Sequence, residues 1–139
     1  MLSRGGVLAN ERILIVDDIP ANVTLASFVL ASKGYEIQTA VDAPAVLATV
    51  GAFRPHLILM DLQLPGMDGL ELTRLLKTEL RTRNVIIVAI TASALKGDEA
   101  KARAAGCDGF LTKPIDTRQL PARIAEYLAT KSQPVRSAR

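Results

Sequence analysis

Five short apolar runs, each followed by a stretch with helical spacing, constrain the fold of this chain more than any other feature. The runs lie at about 12–16, 35–40, 57–61, 85–90 and 109–112. The first reads Arg12-Ile13-Leu14-Ile15-Val16, the third Leu57-Ile58-Leu59-Met60 before Asp61, and the fourth Val85-Ile86-Ile87-Val88-Ala89-Ile90. Runs of this length, apolar without alternation, read as strands of a parallel sheet buried on both faces. The second, Tyr35-Glu36-Ile37-Gln38-Thr39-Ala40, is the least apolar and suits an edge.

Between the runs lie helical patterns. The first, 20–33, has Val23, Ala26, Phe28, Val29 and Leu30 as its apolar face and stops at Gly34. The second, 43–52, follows Asp42 as N-cap, with Pro44 in the first turn. The third, 68–80, carries Leu72, Leu75, Leu76 and Leu80, and the fourth, 95–105, ends at Gly106. The fifth, 117–130, shows Leu120, Ile124 and Leu128, while Pro121 within it predicts a late start or a bend. This alternation predicts an α/β fold, a (βα)₅ three-layer sandwich around a parallel sheet. The flavodoxin-like strand order 2-1-3-4-5 is the natural solution, and it sets the first and third strands side by side at the switch point.

At 139 residues the chain is the size of one domain. The expected organisation is a flexible lead at 1–10, a folded domain at 11–130 and a disordered basic tail at 131–139. Cys107 is the only cysteine, so no internal disulfide or multi-cysteine metal site is possible, and a reducing compartment is expected. No apolar stretch approaches the roughly 18 residues of a membrane span, and the first ten residues have no signal-peptide core. A cytoplasmic protein without membrane attachment is expected. The net charge of +3 equals the contribution of Lys131, Arg136 and Arg139, so the body is balanced. No basic face of the kind nucleic-acid binders use is visible, and no nucleic-acid partner is expected.

The expected topology gathers a specific set of side chains at the C-terminal ends of the strands. Asp17 and Asp18 follow the first, Asp61 ends the third, Thr91 follows the fourth, and Lys113 follows Phe110-Leu111-Thr112 of the fifth. Open α/β sheets bind ligands at these ends. Acids in such loops also cap helices, and Asp18 could cap the helix starting near Pro20. Three converging acids, however, repel one another unless a cation joins them. Their hard oxygens suit Mg²⁺, with Mn²⁺ as a substitute, and the turn after Asp61 brings the Gln63 backbone carbonyl near that ion. Asp61 is then a nucleophile toward phosphorus, giving an acyl phosphate. Thr91 offers a hydroxyl and Lys113 a cation to phosphoryl oxygens, and the small Ala92 leaves the acceptor open. Lys113-Pro114 is a place where a cis peptide bond is inexpensive. Phe110 is either ordinary core or a mobile aromatic that reports the state of Thr91.

These residues resemble the receiver domain of bacterial two-component response regulators over about residues 11 to 129. The resemblance rests on Asp17-Asp18, on Leu59-Met60-Asp61-Leu62-Gln63-Leu64-Pro65-Gly66-Met67-Asp68-Gly69 and on Leu111-Thr112-Lys113-Pro114-Ile115. It implies that Asp17 and Asp18 are the acidic metal pair and Asp61 the phosphoacceptor. Thr91 is then the switch hydroxyl, Lys113 the phosphoryl-binding lysine and Phe110 the switch aromatic. The stretch Thr91-Ala92-Ser93-Ala94-Leu95-Lys96-Gly97-Asp98-Glu99 is similar to receivers of hybrid kinases and single-domain cell-cycle regulators. Two positions depart from the commonest pattern: His56 stands where an acid is usual, and Pro121 lies inside the fifth helix pattern.

The resemblance implies a switch that takes a phosphoryl group from a sensor histidine kinase or histidine phosphotransfer protein and promotes its own dephosphorylation. Thr91 and Phe110 would then remodel the face of the fourth helix, fifth strand and fifth helix toward an unknown target. The donor would dock on Ile19, Pro20, Asn22 and Ile115, and Gln63 and Ser93 would tune hydrolysis. The roughly ten residues after the fifth helix are too few for an output domain. That leaves open a partner-binding or relay protein and an excised piece of a longer chain, with Met1 leaning toward a stand-alone protein. The alternative is a constitutive interaction module of the same fold, which typically lacks an acid or the lysine. A flavin redox protein would need a Ser/Thr/Gly phosphate loop where Asp17-Asp18-Ile19-Pro20 stands, and a phosphatase of the DxD type an acid at Gln63.

Overall fold

The computed structural model describes residues 10–131 except Pro65, Met67, Ser93, Ala94 and Lys96. Five strands alternate with five helices: β1 Arg12–Val16, α1 Pro20–Ala31, β2 Glu36–Ala40, α2 Ala43–Phe53, β3 Leu57–Asp61, α3 Gly69–Thr78, β4 Ile86–Thr91, α4 Asp98–Ala105, β5 Gly109–Thr112 and α5 Leu120–Lys131. All strand pairs are parallel and the order is β2-β1-β3-β4-β5, as the sequence predicts. The polar second strand is an edge. The expected lead at 1–10 and tail at 131–139 lie outside the described residues, apart from Asn10 and the end of α5 at Lys131.

The unbroken apolar runs have a direct cause. Alternate residues of each central strand face opposite sides of the sheet. Leu14, Val16, Ile58, Met60, Ile87 and Ala89 pack with α2, α3 and α4 through Val46, Val50, Leu72, Leu76 and Ala102. Ile13, Ile15, Leu57, Leu59, Val88 and Ile90 pack with α1 and α5 through Ala26, Leu30, Leu120 and Ile124. Both faces are therefore core, and each fully buried Leu or Ile contributes about 1.5–3 kcal/mol.

Several local expectations are met. The Asp42 side chain accepts the Ala45 N–H as N-cap of α2. Gly34 has the expected positive φ, although α1 already ends at Ala31 with Ser32 as C-cap, two residues before the expected end at 33. Pro121 is the second residue of α5, where no intrahelical N–H is required, so the helix starts late at Leu120 rather than 117. Turn bonds from Gln119 and Leu120 N–H to the Asp116 carbonyl occupy the preceding segment.

Other expectations are corrected. Phe28 is 73% exposed and is not part of the apolar face of α1, which is anchored by Ala26 and Leu30. α3 ends at Thr78, because Glu79 turns extended, and Leu80 is left in solvent. α4 begins at Asp98, not 95, because Gly97 at φ 95° forms its N-terminal boundary. Leu95 precedes that boundary and is exposed.

Candidate functional site

The parallel order places the ends of β1 and β3 in adjacent positions, with Val16 paired to Met60. Asp17 and Asp61 are the next residues on each chain, and both are buried, at 4% and 1% exposure, whereas Asp18 is exposed. Asp17, Asp18 and Asp61 each offer a carboxylate oxygen, all within 4.8 Å of one another. Each carboxylate is held differently.

Asp17 Oδ1 accepts the Ile19 N–H at 2.9 Å, closing the turn that launches α1 at Pro20. Asp17, not Asp18, is therefore the acid that shapes this helix start. Ile19, the N-cap residue, has no side-chain cap of its own. Asp17 Oδ2 accepts from Asn22 Nδ2 at 3.3 Å and lies 3.4 Å from Lys113 Nζ. Asp61 Oδ1 accepts the Gln63 N–H at 2.9 Å, and Oδ2 accepts from Lys113 Nζ at 3.0 Å.

Lys113 arrives from the far side of the sheet. Its N–H donates to the Thr91 carbonyl at 2.8 Å, which fixes the β5 exit against the β4 end. The Lys113–Pro114 peptide bond is cis. Thr91 is the last residue of β4, buried and paired with Thr112. The neighbouring Ile90 carbonyl accepts the Leu62 N–H at 3.0 Å and ties down the loop after Asp61. Ala92 is exposed. Phe110 is half-buried against the α2–α4 side of the core, while Leu111 packs on the other face.

Burial pushes the Asp61 carboxyl above its ordinary value, and the Asp17 charge adds to this; the Gln63 N–H and Lys113 oppose it without prevailing. Burial alone would lower the Lys113 pKa, but its hydrogen bond to Asp61 and the charges of Asp61 and Asp17 outweigh burial and raise it. An ion pair by itself lowers the acid and raises the base. The acid moves the other way here because two carboxylates share one lysine in a dry position.

Gly69 is a site residue whose role the spacing of acids does not reveal. It opens α3, and a Cβ there would stand 2.7 Å from Leu62 Cα and 2.8 Å from the Asp61 carbonyl oxygen. Its N–H donates to the Leu62 carbonyl at 3.2 Å. Only glycine lets α3 press against the backbone that carries Asp61.

A hollow of about 350 Å³ opens beside Lys113, lined by Asn22, Leu25, Ala26, Ala92, Lys113, Pro114, Ile115 and Thr117. Of the expected docking residues, Ile19 and Pro20 are exposed, whereas Asn22 and Ile115 are half-buried. A larger hollow of about 890 Å³ is lined by Arg12, Arg54, His56, Thr82 and Leu128 among others. It involves none of the site residues and opens where the strands begin, at the opposite end of the sheet. Ser93 lies outside the described residues.

The donor set is chemically suited to a hard divalent cation: three carboxylates in one cluster, two of them also in contact with Lys113. Soft ligands are absent from this cluster, and Cys107 is buried elsewhere, near Thr73.

The chain matches the response regulator receiver domain profile over residues 13–125. It is 45% identical over 115 residues to the response regulator PleD of Caulobacter vibrioides, covering 83% of this chain and 25% of PleD. It is 37% identical over 118 residues to the polar-differentiation response regulator DivK of Brucella anthropi, covering 85% of this chain and 96% of DivK. The chain thus spans a quarter of the length of PleD and nearly all of DivK. A solved structure with the same fold is the receiver domain of sensor histidine kinase PA1611 from Pseudomonas aeruginosa PAO1, described with a magnesium ion coordinated in the active site cleft. It aligns at a TM-score of 0.78 and 33% identity, covering 87% of this chain and 99% of that one. A profile match across most of the chain, set on the strand order and acidic crevice described above, fixes its relationship: this chain belongs to the response regulator receiver domain family.

Proposed function

We propose that the chain is a phosphoacceptor switch in a two-component phosphorelay, with Asp61 as the acceptor. The observation that carries this reading is the placement of Asp61: a buried carboxylate that shares Lys113 with Asp17 and lies in one acidic cluster with Asp17 and Asp18. Oδ of Asp61 attacks the phosphorus of a phosphohistidine. The P–N bond breaks, the imidazole nitrogen leaves and takes up a proton, and Asp61 becomes an aspartyl phosphate. Lys113 offers its charge to one phosphoryl oxygen, and Thr91 offers its hydroxyl to another. The Gln63 N–H holds Asp61 Oδ1 and Lys113 Nζ holds Oδ2, so Lys113 moves from Oδ2 to a phosphoryl oxygen as Oδ2 attacks. Mg²⁺, held by Asp17, Asp18, Asp61 and the Gln63 carbonyl, would supply the positive charge that lets a crowded carboxylate approach a phosphoryl group. Mn²⁺ would serve the same donor set.

Phosphorylation adds charge at one end of β3. Thr91 and Lys113 then gain contacts that only one conformation satisfies, which biases the β4–α4 loop, Phe110 and the α4–β5–α5 face. The partners are a sensor histidine kinase or histidine phosphotransfer protein upstream and a protein target downstream. The donor docks beside the hollow at Asn22 and Ile115, with Ile19 and Pro20 as exposed contacts. No helix among the described residues is long and apolar enough to cross a membrane.

Borohydride reduction tests the acceptor directly. An aspartyl phosphate is reduced to homoserine, and peptide mass mapping after phosphotransfer should find homoserine at position 61 alone. Homoserine at another acid, or none after demonstrated phosphotransfer, contradicts the reading.

A further inference from the structure

Asp17 is surrounded by more donors than a simple metal ligand requires. One oxygen takes the Ile19 N–H, and the other is shared between Asn22 Nδ2 at 3.3 Å and Lys113 Nζ at 3.4 Å. Lys113 is the less constant of these two. It also binds Asp61 at 3.0 Å, and the proposed chemistry draws it toward phosphoryl oxygens. Asn22 is not drawn toward the phosphoryl oxygens; its other proposed contact is with the docked donor, outside the acidic cluster. It sits in the first turn of α1, its own N–H tied to the Ile19 carbonyl at 3.0 Å, so its amide reaches Asp17 from a fixed backbone.

We propose that Asn22 is a positioning residue for the metal ligand Asp17. Its amide keeps Oδ2 oriented toward the crevice whether or not Lys113 is engaged there. This rests on the proposed metal site. The chemistry of the side chain fits the task. A lysine or arginine at this position would add a positive charge that competes with a divalent cation, and an aspartate would add a fourth carboxylate to three already crowded. A neutral amide donates a hydrogen bond to the carboxylate while leaving its charge to the ion. Asparagine is also a poor choice for helix propensity alone, since alanine or leucine would serve α1 better.

The test is Mn²⁺ affinity, read by electron paramagnetic resonance of the free ion, in wild type, Asn22→Ala, Asp17→Asn and the double variant. Thermal melting in EDTA serves as the fold control, and Asn22→Leu as a second donor-free variant of similar bulk. Asn22→Ala and Asn22→Leu should weaken Mn²⁺ binding about tenfold, the scale of outer-shell partners. Their melting temperatures should stay at or near that of wild type. In the Asp17→Asn background the further loss from Asn22→Ala should vanish. Unchanged affinity in both Asn22 variants, or an equal loss in both backgrounds, overturns the proposal. A wild-type chain that takes up no Mn²⁺ overturns the metal site itself, and this inference with it.

Discussion

Lys113 Nζ stands 3.0 Å from Asp61 Oδ2 and 3.4 Å from Asp17 Oδ2, so a single cation from the β5 end holds carboxylates from two other strands. Both acids are nearly closed to solvent. Removing one partner of a buried pair leaves charge uncompensated, which costs about 3 kcal/mol. Lys113→Ala should lower the urea midpoint in EDTA by a corresponding amount, and added Mg²⁺ should recover part of it, because a cation again stands between the acids. A variant as stable as wild type in EDTA would show that the pair carries no such weight.

Asp61 itself is held above its ordinary pKa, chiefly by burial. A carboxyl raised in the fold is stabilising only while protonated, so at neutral pH the ionised group costs folding free energy. Asp61→Asn removes that charge and keeps an oxygen for Lys113. It should melt higher than wild type in metal-free buffer, by roughly 3–5 °C for about 1 kcal/mol in a domain of this size. A lower melting temperature would mean that the Lys113 pair outweighs burial.

Gly69 supports the backbone of the proposed acceptor, Asp61, without any chemistry of its own. Because the atoms a Cβ would meet are backbone, they cannot rotate away. Gly69→Ala should destabilise the fold by about 1–3 kcal/mol, the scale of overpacking. It should also slow phosphorylation of Asp61 although no acid or lysine has changed. Wild-type stability together with a wild-type phosphorylation rate would remove Gly69 from the site.

His56 makes stability depend on pH far from the acids. Its Nδ1 accepts the Arg12 N–H at 2.9 Å, which requires that nitrogen to be unprotonated. Burial and then the Arg12 charge lower its pKa, with Glu11 opposing. The unfolded chain therefore takes up the proton first as pH falls below about 6.5. The contribution of neutral His56 is fully present above that value and is lost as pH drops through the lower folded value. Asn at position 56 keeps an acceptor that does not titrate. Between about pH 7.5 and about pH 5, the urea midpoint of wild type should fall more than that of His56→Asn. Parallel curves would assign the acid sensitivity to other groups.

The sheet was legible because burial on both faces leaves unbroken apolar runs, and the strand order follows from alternation with helices. The acids and lysine were legible because each ends one of those runs. α1 shows the limit. Ile19, Leu25, Phe28 and Leu30 are spread around its circumference, so periodicity cannot choose the buried face; Leu30 is fully buried and Phe28 is 73% exposed. Helix boundaries at Gly97 and Glu79 depend on backbone angles that composition states only weakly. The adjacent Asp17 and Asp18 look equivalent in sequence, yet one is buried and bonded to the α1 start while the other is open. The close approach behind Gly69 and the amide of Asn22 on Asp17 are tertiary contacts, and no local pattern encodes them.

The central claim is that Asp61 accepts a phosphoryl group with the help of a divalent cation. Intact mass spectrometry after incubation with Mg²⁺ and acetyl phosphate tests it most directly, beside Asp61→Asn and an EDTA control, with a phosphohistidine donor in a parallel reaction. The account predicts one phosphoryl adduct on wild type, lost in Asp61→Asn and lost in EDTA. An adduct that survives either control, or none from acetyl phosphate and phosphohistidine alike, would contradict it and leave a constitutive binding module of the same fold.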